Sequence, residues 1–301
     1  AWGRGWLAPP AGRRAGAGPG PAGGDRGRTS VHAWERHPRR SGAPPGPLHE
    51  SPYSLPGMQP STHIWFDGAL VPWDDARVHV SVHSLHYGNA VFEGIRAYAT
   101  PEGPAILQLE AHVRRMFQSS RVLDMDVPYT VDEVMTAVVE TVRANGHRAC
   151  YVRPRVFRGS DTLGVMPGNN PIQLAIMTWE WSSLHGDAAL KDGVDVGVSA
   201  GRRMAPGTHP AMAKAAGNYI NSMLVVQEAK RHGYAEGLVL DVAGYLSEGS
   251  GENVFVVQDG AILTPPIGNS ILAGITRKMV LDLCRDLGIE TREARIPREA
   301  L

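Results

Sequence analysis

The stretch 247–278, "SEGSGENVFVVQDGAILTPPIGNSILAGITRK", packs Glu248, Glu252 and Asn253 among glycines, then runs through apolar segments into a helix. It is not a dinucleotide fingerprint: the G-x-G-x-x-G run is missing, and "GSGENV" sits between strands instead of opening a helix. The helix predicted from "TRKMVLDLCRDLG" puts Arg277 and Lys278 in its first turn. The positive end of the helix dipole makes cations unfavourable there, and a bound anion would reverse that penalty. The amides of Ile275 and Thr276 are the free donors a phosphate would use. A surface helix with tolerated charges is the competing reading.

Upstream lies "AMAKAAGNYINS" (211–222). Of 30 basic residues only four are lysines, at 191, 214, 230 and 278, so arginine fills most places where any cation suffices. Lys191 falls in a polar linker, Lys230 in the last turn of a helix, and Lys278 among charged neighbours. Lys214 has small residues on both sides, which let a bulky group approach its amine. An amine in a partly desolvated pocket has the lowered pKa that a nucleophile toward a carbonyl needs. On this feature alone a solvated loop lysine is the preferred reading, and the case for a nucleophile needs more.

Outward from there the chain reads as α/β with mixed sheets, in two domains. "HIWFDGALVPW" (63–73) carries a D-G turn between apolar runs, a hairpin signature, and "GIRAYATPEGPAILQL" (94–109) repeats the form with "PEG". Helices are predicted in "EAHVRRMFQSSRVLDM" (110–125) and "TVDEVMTAVVETVRANG" (130–146). The second has Thr130 and Glu133 as a capping box, Val131, Val134, Met135, Val138 and Val142 on one face, and Gly146 as its stop. Strands "ACYVRPRVF" (149–157) and "IQLAIMTW" (172–179) complete a first domain over 62–179. The polar, helix-poor "EWSSLHGDAALKDG" marks a linker at 180–192. A second domain over 193–301 reads strand, loop, helix "GNYINSMLVVQEAKRHG" (217–233), several strands, helix and strand. It ends in "PREAL", the beginning of another helix.

The first 50 residues hold 11 Gly, 8 Pro and 8 Arg without apolar periodicity. Such a segment buries too little surface to offset its ordering entropy, and 1–61 is expected to be disordered. Its G-R clusters suggest an RNA-binding tail or an organelle presequence. The reading adopted is that translation starts naturally at Met58. With 30 basic and 30 acidic residues the formal charge is zero, which argues against nucleic-acid or membrane partners and for a small ligand. No apolar run is long enough to span a bilayer. The two cysteines make no metal or disulfide pattern, so the expected setting is reducing and cytoplasmic. His83 and His86 have a helical metal spacing without an evident third ligand.

The run from Glu248 through "GSGENVF", "ILT" and "LAGITR" resembles the signature of the class IV, fold-type IV pyridoxal-phosphate aminotransferases. Residues 64–98, "YVRPRVF" (151–157) and "AKAAGNY" (213–219) are similar to the branched-chain amino-acid aminotransferases in particular. The resemblance covers about residue 62 to the C-terminus.

It implies pyridoxal 5'-phosphate as cofactor, with amino acids and 2-oxo acids as substrates. Lys214 falls at the catalytic lysine that holds the cofactor and moves the proton. Glu248 falls at the carboxylate facing the pyridine nitrogen, and Tyr219 at the tyrosine bonded to the phenolic oxygen. Arg115 falls at the phosphate-binding arginine, and Ile275 and Thr276 at the phosphate-binding amides. Tyr87, Phe92, Arg96, Tyr151, Arg153 and Trp181 fall at substrate positions, apolar surface from Phe92 and Trp181 and a carboxylate partner in Arg153.

The implied reaction transfers the amino group of leucine, isoleucine or valine to 2-oxoglutarate, in a homo-oligomer where Tyr87 or Phe92 serves across the interface. A D-amino-acid aminotransferase, an aminodeoxychorismate lyase and an inactive remnant share these residues and stay open. Family members continue past the equivalent of Leu301 with a "DEVF"-like strand and a "GTA"-like turn. Nothing in this sequence matches those, so its second domain is expected to be incomplete.

Overall fold

Asp67 and Gly68 hold positive φ, 43° and 100°, and the hairpin they turn begins the larger sheet. The computed structural model describes residues 60–181 and 187–301. Strands β1 (His63–Phe66) and β2 (Ala69–Pro72) pair antiparallel with Phe66 opposite Ala69. A short helix α1 (His83–Tyr87) leads to β3 (Val91–Phe92), β4 (Ile95–Thr100) and β5 (Gly103–Ile106). The β4–β5 hairpin is the one that "PEG" predicts, closed by Gly103 at φ 122°.

Helices α2 (Leu109–Val122) and α3 (Val131–Ala144) follow, then β6 (Cys150–Arg158) and β7 (Ile172–Trp179). The strands lie in the order β2-β1-β7-β6-β4-β5, with β3 also on β6, and every pair is antiparallel. Both halves of the capping box at Thr130 and Glu133 form. They fix the start of α3 so that Val134, Val138 and Val142 point into the core with Val113 and Met116 of α2. Each such buried side chain stabilises the fold by about 1.5–3 kcal/mol. Along β6, Val152 and Val156 join this core. Tyr151 and Arg153 therefore project from the opposite face.

After this sheet come α4 (Asp187–Asp192), β8 (Val196–Arg202), α5 (Tyr219–Arg231), β9 (Glu236–Leu240) and β10 (Leu246–Gly249). Then follow β11 (Val256–Gln258), β12 (Ala261–Thr264), α6 (Ile275–Asp286) and β13 (Thr291–Glu293). β8 and β9 run parallel with α5 between them in sequence, and β10 adds antiparallel to β9. Gly237 lets α5 lie close: a Cβ there would meet Val225 Cγ1 at 2.6 Å. β11, β12 and β13 form a separate sheet.

Some expectations change. The 180–192 segment contains helix α4, so it is not wholly irregular, while 182–186 lie outside the described residues. Nearly all of the 1–61 extension also lies outside them. Pro60 and Ser61 are ordered, however: Pro60 bridges to Trp179, and Ser61 is buried beside His147 at 2.7 Å. "PREAL" forms a single 3-10 turn, Arg298–Ala300. No helix among the described residues is long and apolar enough to cross a membrane.

Candidate active site

Lys214 lies in the connection from β8 to α5, and its main chain is clamped from both sides. Its amide donates to Ser119 Oγ of α2 at 3.0 Å, and its carbonyl accepts from the Phe92 amide at 3.2 Å. The side chain enters a cavity of about 300 Å³, whose wall includes Arg115, Tyr151, Arg203, Tyr219, Glu248, Asn253, Ile275 and Thr276. Nζ donates to the Tyr219 hydroxyl at 2.7 Å. Burial lowers the Lys214 pKa, opposed by the negative field of Glu93 and reinforced by the positive one of Arg115. Burial likewise pushes the Tyr219 hydroxyl up to about 12, so it stays un-ionised.

Glu248, on β10, is buried and reaches the cavity from another side. Arg203 Nη2 pairs with its Oε1 at 2.5 Å. Its Oε2 accepts from Asn253 Nδ2 at 3.1 Å and from the Leu272 amide at 3.0 Å. Burial raises its pKa, and the Arg203 charge and these N–H donors only partly offset that rise. Glu252 also faces the cavity, with its pKa raised to about 7 by burial and by the charges of Glu236 and Glu248.

The far end is made by the start of α6 and by Arg115. Gly274 caps α6 without a side-chain hydrogen bond, and the first turn holds no acidic residue. Its leading amides have no intrahelical partners, so they face the cavity as donors. Arg277 and Lys278 do not mark an anion. Arg277 is buried against Glu293 and the Pro265 carbonyl, and Lys278 pairs with Asp282 at 2.5 Å. Their penalty at the helix start is met by neighbouring carboxylates. The Arg115 guanidinium donates to both oxygens of Glu93 at 2.7 Å and through Nη1 to the Ala273 carbonyl at 3.1 Å. Arg115 and Ser119 stand one helical turn apart on α2, which thus touches both the segment leading into α6 and the Lys214 backbone.

On the third side is an aromatic cluster. The Phe92 ring lies 4.7 Å from that of Tyr219, and Arg153 stacks over Phe92, Tyr151 and Trp179 at 4.8, 5.1 and 5.5 Å. Trp181 meets Tyr151 edge-on at 4.9 Å. Lys214, Arg115, Tyr219, Glu248, Ile275, Thr276, Phe92, Tyr151, Arg153 and Trp181 are therefore brought together. Phe92, Arg153 and Trp181 touch the wall residues Lys214, Tyr219 and Tyr151 without lining the cavity themselves, and Tyr87 and Arg96 are not part of the wall either. The Tyr87 hydroxyl is tied to the Leu163 carbonyl at 2.7 Å, on an exposed surface, and Arg96 turns over the Tyr98 ring at 5.5 Å. His83 is occupied by Asn89 and the Gly164 carbonyl, both at 2.9 Å. Among the described residues no cluster could hold a metal ion.

Sequence reasoning missed Glu93, His112, Arg203 and Trp179. Only Glu93 carries a local signal, a lone carboxylate inside the apolar run "AVFEGI".

The family model described as "Amino-transferase class IV" matches residues 90–301. The chain belongs to the class IV aminotransferases.

Relatives within and near that class agree with the fold. The branched-chain-amino-acid aminotransferase of Escherichia coli (strain K12) is 45% identical over 240 residues, 79% of this chain and 78% of that protein. The one from Pseudomonas aeruginosa is 44% identical over 236 residues, 78% of this chain and 76% of that protein. The crystal structure of the Escherichia coli enzyme superimposes with a TM-score of 0.79 over 80% of each chain at 45% identity. The branched-chain amino acid aminotransferase from Thermobaculum terrenum, solved in its PLP form, has a TM-score of 0.73 at 32% identity, covering 80% of this chain and 78% of that one. The mixed α/β architecture of this class IV aminotransferase is that of these enzymes.

Proposed function

We propose that this class IV aminotransferase is a pyridoxal-phosphate-dependent branched-chain aminotransferase, moving the amino group of leucine, isoleucine or valine to 2-oxoglutarate and producing glutamate. The observation that carries the reading is Lys214: a half-buried amine with a lowered pKa, paired to Tyr219, between a buried carboxylate and an anion-receptive helix start. Relatives bearing that activity's name are up to 45% identical over most of the chain.

The residues present fit the cofactor. Its aldehyde needs an un-ionised amine, which desolvation of Lys214 favours, and its phosphate needs converging N–H donors, which Arg115, Ile275 and Thr276 supply. The cradle leaves no spare room at Gly274, where a Cβ would lie 1.9 Å from Asn253 Oδ1. When bound, pyridoxal phosphate supplies an electron sink that stabilises negative charge at the substrate α-carbon.

The chain's own groups do the rest. Lys214 Nζ takes the α-proton and returns it, a role that desolvation favours by lowering the pKa of the amine. Tyr219 holds that amine by its hydroxyl oxygen and carries a proton of its own for a neighbouring oxygen. Arg203 and the Leu272 amide fix the direction of the Glu248 carboxylate, which would pair with a protonated ring nitrogen. Phe92, Tyr151 and Trp181 offer an aliphatic side chain apolar surface, and Arg153 meets the distal carboxylate when glutamate occupies the same pocket.

The working form is proposed to be a cytoplasmic homo-oligomer, with the division at 180–192 separating its two domains. Leu85, Tyr87, Val165 and Met166 are 66, 43, 79 and 81% exposed, apolar surface of the kind that covers a subunit interface. There Tyr87 would serve a neighbour's pocket.

The test is steady-state glutamate formation from L-leucine and 2-oxoglutarate with added pyridoxal phosphate. Turnover lost in Lys214→Ala is expected; a preference for D-alanine over L-leucine would overturn the assignment.

A further inference from the structure

Glu93 is a carboxylate at 0% exposure in the apolar strand region between Val91 and Ile95. A buried ion pair gives about as much as it costs, so stability alone does not explain it. Its surroundings point elsewhere. Oε1 accepts from Arg115 Nε at 2.7 Å, and Oε2 from Arg115 Nη2 at 2.7 Å and from His112 Nδ1 at 2.8 Å. The Glu93 amide is anchored on the Pro154 carbonyl at 2.9 Å, so the carboxylate is held by the sheet while its partners come from α2. Burial would raise the Glu93 pKa, but the Arg115 and His112 hydrogen bonds outweigh it and keep the group ionised.

This contact uses one particular edge of the guanidinium. Nε–H and the neighbouring Nη2–H form the side edge, which Glu93 fills. The end edge, made of the outer Nη1 and Nη2 hydrogens, is not used by Glu93, and an edge of this kind grips an oxyanion in bidentate fashion. Nη1 also touches the carbonyl of Ala273, the residue before the Gly274 cap of α6. The end edge therefore lies beside the helix start.

We propose that Glu93 is a positioning residue for the anion end of the cavity: by occupying the side edge of Arg115 it fixes the guanidinium plane and turns the end edge toward the first amides of α6. His112 steadies the same carboxylate from α2. The identity of the anion as the phosphate of pyridoxal phosphate rests on the functional reading above. The orientation of Arg115 does not.

The experiment compares binding of pyridoxal phosphate with binding of pyridoxal, which has the same ring and aldehyde but no phosphate. Dissociation constants are measured from the absorbance change for the wild-type chain, Glu93→Gln, Glu93→Asp, Arg115→Met and the Arg115→Met/Glu93→Gln double variant. Glu93→Gln is expected to weaken pyridoxal phosphate about tenfold and to leave pyridoxal within about twofold, the scale of one well-oriented charge-assisted contact. Aspartate keeps the charge but shortens the reach, so it loses the same selectivity and serves where glutamine fails to fold. In the Arg115→Met background the Glu93 change adds no further selective loss.

Equal weakening of both ligands, or of neither, overturns the proposal, as does an undiminished effect of Glu93 without Arg115. Should the wild-type chain bind neither ligand, the functional reading falls. The positioning is then read from the melting-temperature rise given by inorganic phosphate, expected in wild type and lost in Glu93→Gln. An equal rise in both, or no rise in either, overturns it.

Discussion

Lys214 Nζ and the Tyr219 hydroxyl are 2.7 Å apart, and the lysine amine and the tyrosine ring both rest against the ring of Phe92. The pair is a local product of the loop-to-helix junction, five residues from one side chain to the other. Tyr219→Phe keeps the ring packing and removes the hydroxyl. We expect the rate of the first half-reaction, measured by single-turnover absorbance, to fall about tenfold, the upper end of the value of one hydrogen bond. Lys214→Ala removes turnover altogether.

Arg203 and Glu248 form a buried ion pair, 6 and 5% exposed in their side chains. Removing the cation alone leaves a buried carboxylate with its two N–H donors but no counter-charge. Arg203→Met should therefore cost about 3–5 kcal/mol in urea denaturation, and Arg203→Met/Glu248→Gln should regain most of it. Equal losses in both variants would show that the pair is not coupled.

The close approach at Gly274 is testable by one methyl group. Its Cβ would strike Asn253 Oδ1, whose amide nitrogen serves Glu248 and the Leu272 carbonyl. Gly274→Ala is expected to weaken cofactor binding by at least about tenfold. Gly268→Ala, with nothing within 4 Å of the added carbon, should leave it unchanged.

Glu252 makes stability pH-dependent. Its pKa is raised from 4.5 to about 7, so the folded chain keeps a proton that the unfolded chain releases. Stability from this group is complete below its unfolded value and is lost as pH rises through about 7. The melting temperature should fall over that window, and Glu252→Gln should remove the fall and melt higher than wild type at pH 8.

Thr130→Ala offers a contrast far from the cavity. It opens the capping box and should cost about 1 kcal/mol of stability with no change in kcat/KM.

What could be read from the sequence was mostly local. The Asp67-Gly68 turn, the Thr130–Glu133 cap and the Tyr151-x-Arg153 pair each depend on neighbours within a few residues, and each appears as expected. Glu93 and Arg115 are 22 residues apart, and Arg203 and Glu248 lie on separate elements. Neither pairing has a spacing rule, because the fold alone decides which face meets which. The same reason defeated the reading of Arg277, whose cost at the helix start is cancelled by Glu293 from β13. Tyr87 shows the complementary limit: a motif position does not state which cavity its side chain enters.

Helix α2 carries Arg115 toward the anion end and Ser119 against the Lys214 amide. Since residues four apart are separated by about 6 Å along a helix, the distance between the two grips is a mechanical constant set by backbone pitch. Inserting or deleting a single residue between them would rotate one contact by about 100° relative to the other. This segment of the gene should tolerate substitution far better than any change in length.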